Sequence, residues 1–86
     1  MKVSLNNLKK KVEKFCERLA DILDTNEVKL EDVLKDFKQW DSLSVLSIIA
    51  MIDSEYGITV FAKEVMKLKT VKDLFSYIQK KSSLLT

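Results

Sequence analysis

Few side chains in this sequence can do chemistry, and they narrow the choice quickly. There is no histidine, which excludes Ser-His-Asp and Cys-His catalysis and imidazole metal sites. The single cysteine, Cys16, can form neither an internal disulfide nor a multi-thiolate zinc site. A small domain without disulfides is expected in a reducing compartment, the cytoplasm. What stands out is Asp41-Ser42-Leu43, a hydroxyl beside a carboxylate directly before the most apolar stretch of the chain. Asp41 and Ser42 are both good helix N-caps, worth about 1 kcal/mol each. Ser44 is placed to be a reciprocal capping partner, and Ser47 falls on a solvated face.

The elements that must position these residues are helices. The chain has 86 residues, one Gly, no Pro, 47% hydrophobic and 33% charged residues. That is one small globular domain, residues 1–86, with too few turn residues for a many-stranded fold. Val3, Leu5, Leu8, Val12, Phe15, Leu19 and Ile22 recur at mostly three- and four-residue steps and predict a first amphipathic helix, with Ser4 as its N-cap. Asp24-Thr25-Asn26 stops it. A long ordered loop follows, pinned by buried Leu34, Phe37 and Trp40, with room for a helical turn at 30–34. The second helix starts at Asp41-Ser42 and ends at Gly57, the one residue free to take a positive φ. Leu46, Ile49, Ile52 and Tyr56 form its predicted core stripe, widened by Leu43, Val45 and Ile48. Ile58-Thr59-Val60 is an extended link with no second strand to pair with. A short helix over 61–66 turns Phe61, Val65 and Leu68 inward. Thr70-Val71-Lys72-Asp73 reads as a capping-box start for a last helix that buries Val71, Leu74, Phe75 and Ile78. Residues 82–86 are expected to fray. No membrane-spanning or signal-peptide run is visible.

This order of elements resembles the acyl carrier protein family. Asp41-Ser42-Leu43 is similar to the family's Asp-Ser-Leu attachment motif, and the aliphatic helix follows it directly. Glu55-Tyr56-Gly57-Ile58 resembles the Glu-aromatic-x-Ile ending of the family's second helix. Thr70-Val71-Lys72-Asp73-Leu74 resembles the Thr-Val-x-x-Leu start of the family's last helix. The resemblance implies an all-α, four-helix bundle with a long loop between helices 1 and 2 and a short helix 3. It implies that Ser42 receives 4′-phosphopantetheine from coenzyme A, through a phosphopantetheinyl transferase and its magnesium, with Asp41 as a contact to that metal. The thiol so gained holds acyl groups as thioesters. A serine at a helix N-terminus suits this use, because partial positive charge and free N–H groups favour a phosphate diester. Leu43 packs at the helix entrance, is gripped by partner enzymes as the family's equivalent leucine is, or does both, and Asp53 and Glu55 are the carboxylates left for partner recognition. The implied partners are the transferase and an acyl ligase, ketosynthase or acyltransferase. The protein is then a monomeric carrier and not an enzyme, without nucleic-acid or membrane partners.

The charge pattern departs from that family. Residues 1–23 carry six basic and three acidic groups, residues 24–60 three and eight, and residues 61–86 six and two. The net +2 therefore hides an acidic middle between basic ends. Ser44, Ser47 and Ser54 stand where general fatty-acid carriers have acids, and Trp40 stands where they have a small residue. Charge steers encounter and excludes wrong partners, so the expectation is a carrier for a specialised pathway. A host with a basic proteome is the competing explanation. Two other classes stay open: an unmodified carrier-like interaction domain, and a nucleic-acid-binding helical domain. The second is opposed by basic residues split between the two ends and by a lone Arg18.

Overall fold

Val12, Phe15, Cys16, Leu19, Ala20 and Leu23 step along one face at three- and four-residue intervals. In the computed structural model, which describes residues 5–85, they turn the first helix, α1 (Leu5–Ile22), onto the core. The predicted N-cap Ser4 lies outside the described residues. α1 stops where Asp24 takes a left-handed φ of 54° and the Thr25 N–H bonds back to the Ala20 carbonyl at 2.9 Å. Asp tolerates that conformation better than most side chains.

The long loop that follows is anchored rather than free. Leu34, fully buried, starts a one-turn 3-10 helix over Leu34–Asp36, while Phe37 and Trp40 are half-buried against the core. Val33 forms an isolated antiparallel bridge with Thr70. Around it the Leu34 N–H donates to the Lys69 carbonyl, and the Val71 and Lys72 N–H groups donate to the Asp32 and Leu30 carbonyls, at 2.8–3.0 Å.

The remaining helices are α2 (Ser42–Tyr56), α3 (Ala62–Val65) and α4 (Val71–Leu85). No strand occurs among the described residues, and the architecture is the helical bundle with a short third helix that the resemblance implied. Gly57 closes α2 at φ 67°, as its sequence position requires. α4 continues past Ser82, where fraying was expected, to Leu85. The core joins Phe15 and Leu19 of α1, Val45, Ile48 and Ile52 of α2, Val65 of α3, and Val71, Leu74 and Ile78 of α4, all at 0–1% exposure. Phe15 and Phe75 meet edge-on-tilted, with ring centroids 5.2 Å apart.

Three expected core residues lie outside, Leu43 among them at 72% exposure. Leu46 is 58% exposed and Phe61 62% exposed. α2 is apolar on nearly every side, so its sequence has several faces of helical period. The face through Val45, Ile48 and Ile52 is the one used, and Leu46 sits across the axis from it. Phe61 belongs to an extended segment of period two: Ile58 and Val60 point in, Thr59 and Phe61 out.

Candidate functional site

The start of α2 is built by two side chains, neither of them Ser42. Asp41 is the N-cap, with extended φ and ψ of −151° and −174°. Its Oδ1 accepts from the Ser44 N–H at 2.9 Å, and the Asp41 N–H donates to Ser44 Oγ at 3.0 Å. The Ser44 hydroxyl in turn donates to the Asp41 carbonyl at 2.9 Å. This reciprocal box satisfies the helix start completely on one side and fixes both residues, with Ser44 buried at 7% exposure. Sequence reasoning placed Ser44 in that role.

Ser42 is left over from the cap. It occupies the first helical position, exposed, and the cap's side-chain bonds run between Asp41 and Ser44 only. The N–H groups of Ser42 and Leu43 have no hydrogen-bond partner among the described residues. Two unpaired donors at the positive end of a fifteen-residue helix therefore flank an accessible hydroxyl. A phosphate diester on Ser42 Oγ fits this position: its anionic oxygens meet open N–H donors, and no other contact has to break. The second carboxylate oxygen of Asp41 lies outside the box, on an exposed residue.

Leu43, which had two readings, is 72% exposed and therefore does not pack at the helix entrance. Of the two carboxylates expected to meet partners, Asp53 is exposed. Glu55 is engaged within the fold: its carboxylate meets Arg18 Nη2 at 2.7 Å and Lys14 Nζ at 3.9 Å, tying the end of α2 to α1. Nothing in the local sequence around Glu55 signals that pairing, because its partners are some forty residues away. Sequence reasoning also missed Leu46, Phe61 and Met66 as surface residues.

Cys16 is half-buried in α1. Burial pushes its thiol pKa up, and the carboxylates of Asp32 and Glu31 push it further. Such a thiol is a poor nucleophile at neutral pH. Two surface grooves, of about 840 and 340 Å³, lie along α1, and neither is lined by Ser42. The hydroxyl thus stands on an open surface, where a second protein can reach it.

Residues 13–78 match the family described as phosphopantetheine attachment site. The chain is 34% identical over 70 residues to the acyl carrier protein of Phytoplasma mali, covering 80% of this chain and 81% of that one. It is 35% identical over 57 residues to the acyl carrier protein of Helicobacter hepaticus, covering 66% and 75%. Likeness to the acyl carrier protein of Buchnera aphidicola runs longer, 29% over 83 residues, covering 91% and 98%. With the family match spanning most of the chain and its Asp-Ser-Leu motif set at an open helix start, the protein belongs to the acyl carrier protein family of phosphopantetheine-bearing carriers, and is a carrier rather than a catalyst.

Proposed function

We propose that Ser42 Oγ is the attachment point and that the chain serves a specialised acyl-transfer pathway in the cytoplasm. The observation that carries the first half is the division of labour at the helix start: Asp41 and Ser44 cap α2, and Ser42 is exposed. When bound, 4′-phosphopantetheine supplies a thiol on a long arm, which holds acyl groups as thioesters. In the loading step the Ser42 hydroxyl gives its proton to a base of the transferase while its oxygen bonds to the β-phosphorus of coenzyme A. Adenosine 3′,5′-bisphosphate leaves. With the group in place, the open N–H groups of Ser42 and Leu43 would hold the phosphodiester, and Asp41, already oriented by the Ser44 N–H, would be this chain's contact to the transferase's magnesium.

The second half rests on surface charge. The eleven residues Ser42–Ile52 carry no ionisable side chain, so beyond the capping Asp41 the first three turns of α2 lack the carboxylates that general fatty-acid carriers present. The chain's partners, an acyl ligase, acyltransferase or ketosynthase of its own pathway, meet a monomer at those turns. Among the described residues, no helix is long and apolar enough to cross a membrane.

Intact-mass measurement after incubation with coenzyme A and a broad-specificity phosphopantetheinyl transferase tests the attachment. Wild type gains one phosphopantetheine and Ser42→Ala gains none. No gain in wild type, with a transferase active on other carriers, favours an unmodified interaction domain. For the pathway, efficient exchange of the acylated protein with a general fatty-acid ketosynthase would sink the specialised reading.

A further inference from the structure

Helix α1 sorts its charges onto two flanks. Glu13, Glu17 and Asp21 line the larger of its grooves, while Lys11, Lys14 and Arg18 line the smaller one, of about 340 Å³. These three cations recur at steps of three and four residues, so they form one row about 10 Å long. The end of α2 faces them with Met51, Glu55 and Tyr56, and α4 contributes Ser82. This groove already holds one carboxylate. Glu55 meets Arg18 Nη2 at 2.7 Å and Lys14 Nζ at 3.9 Å. Lys11 has no ion-pair partner among the described residues, and the Lys14 side chain is 67% exposed.

We propose that this groove is a docking surface for an acidic helical segment of a partner protein, with carboxylates three or four residues apart and an apolar side chain among them. The spacing comes from the row itself, because carboxylates on one face of a helix repeat at the same three- and four-residue steps. The charge follows from Glu55, which shows the row taking a carboxylate, and from the three cations that this one acid leaves in excess. The apolar side chain meets Met51 and Tyr56, both half-buried. A nucleic acid fits less well, because Glu13, Glu17 and Asp21 on the neighbouring flank repel a phosphate backbone that runs on past so short a row. Met51 and Glu55 lie nine and thirteen residues past Ser42, about 14 and 20 Å along α2. A partner held there leaves the exposed start of α2 free for an enzyme, whatever Ser42 carries.

The test follows backbone amide resonances of the full chain while a synthetic helical peptide of about twelve residues is added, with glutamates at three- and four-residue steps and one leucine among them. The peptide binds with a Kd of about 100 μM, shifting Lys11, Lys14, Arg18, Met51 and Tyr56 and leaving Ser42 and Leu43 unmoved. Replacing its glutamates by glutamine, or introducing Lys11→Glu or Lys14→Gln in the protein, weakens binding about fivefold or more. Raising NaCl from about 50 to about 300 mM does the same. Lys63→Gln, on α3, changes the affinity less than about twofold. Both groove lysines are exposed, and unchanged circular-dichroism melting shows that their variants fold. No binding, shifts centred outside the groove, equal binding of the glutamine peptide, or tighter binding of a DNA oligonucleotide of matched charge at the same residues overturns the proposal. None of these results bears on attachment at Ser42.

Discussion

Helices α2 and α4 begin with the same device and put it to opposite uses. Each has a reciprocal capping box, Asp41 with Ser44 and Thr70 with Asp73, the second closed by bonds of 3.1 and 3.2 Å. At α4 the first helical residue is Val71, fully buried, and the N–H groups of Val71 and Lys72 are taken by loop carbonyls. At α2 the first helical residue is Ser42, exposed, and the corresponding N–H groups are open. A helix start is therefore not by itself an anion site. It becomes one when the chain around it declines to fill it, and the loop between α1 and α2 seals one start while leaving the other free.

Substitutions at the two first positions break that comparison most sharply. Ser42→Ala abolishes phosphopantetheine loading, read by intact mass, and changes stability by less than about 0.5 kcal/mol, because an exposed hydroxyl outside the cap holds nothing in place. Val71→Ser places a serine beside the other box and does the reverse. It costs about 2–4 kcal/mol in urea unfolding, by losing core contacts and burying a hydroxyl, and gains no mass at that position. At the boxes themselves the effects shrink and converge. Ser44→Ala costs about 1–2 kcal/mol and Thr70→Ala about 1 kcal/mol, and both variants are still loaded at Ser42. A larger loss at Ser44 is expected because it is buried and bonds both backbone groups of Asp41.

The smallest effect lies toward the other end of α4, where Tyr77 donates to Glu64 of α3 and Lys81 lies over the Tyr77 ring, 5.5 Å from its centroid. Burial, and then the hydrogen bond and charge of Glu64, push the Tyr77 hydroxyl up to about 12. A hydroxyl with a raised folded pKa lends stability below its unfolded value near 10, and that stability is lost as pH rises toward 12. Alkaline melts should therefore show a decline over that window, shallower in Tyr77→Phe. In Glu64→Gln, ultraviolet titration should show Tyr77 ionising at lower pH.

Both capping boxes and the Gly57 ending are legible in the sequence, because each is set by residues within four positions of one another. The failures share a different cause. Leu46 reads as core from sequence because α2 has too little polar contrast to mark which apolar face turns inward. Only the packing of Phe15, Val65 and Ile78 from other helices selects Val45, Ile48 and Ile52. Phe61 was read with helical period through Val65, yet the extended segment before α3 alternates and carries it outward. The Glu55–Arg18 pair and the Val33–Thr70 bridge depend on how distant segments meet, and no local pattern announces such meetings.

That bridge also sets an order of events. Residues 30–34 obtain their partners from residues 69–72, so α2 and α3 lie inside one closed chain loop. During synthesis the segment leading to Ser42 stays without those partners until the chain has grown past Lys72. The start of α2 thus acquires its final surroundings only once the chain beyond Lys72 is available.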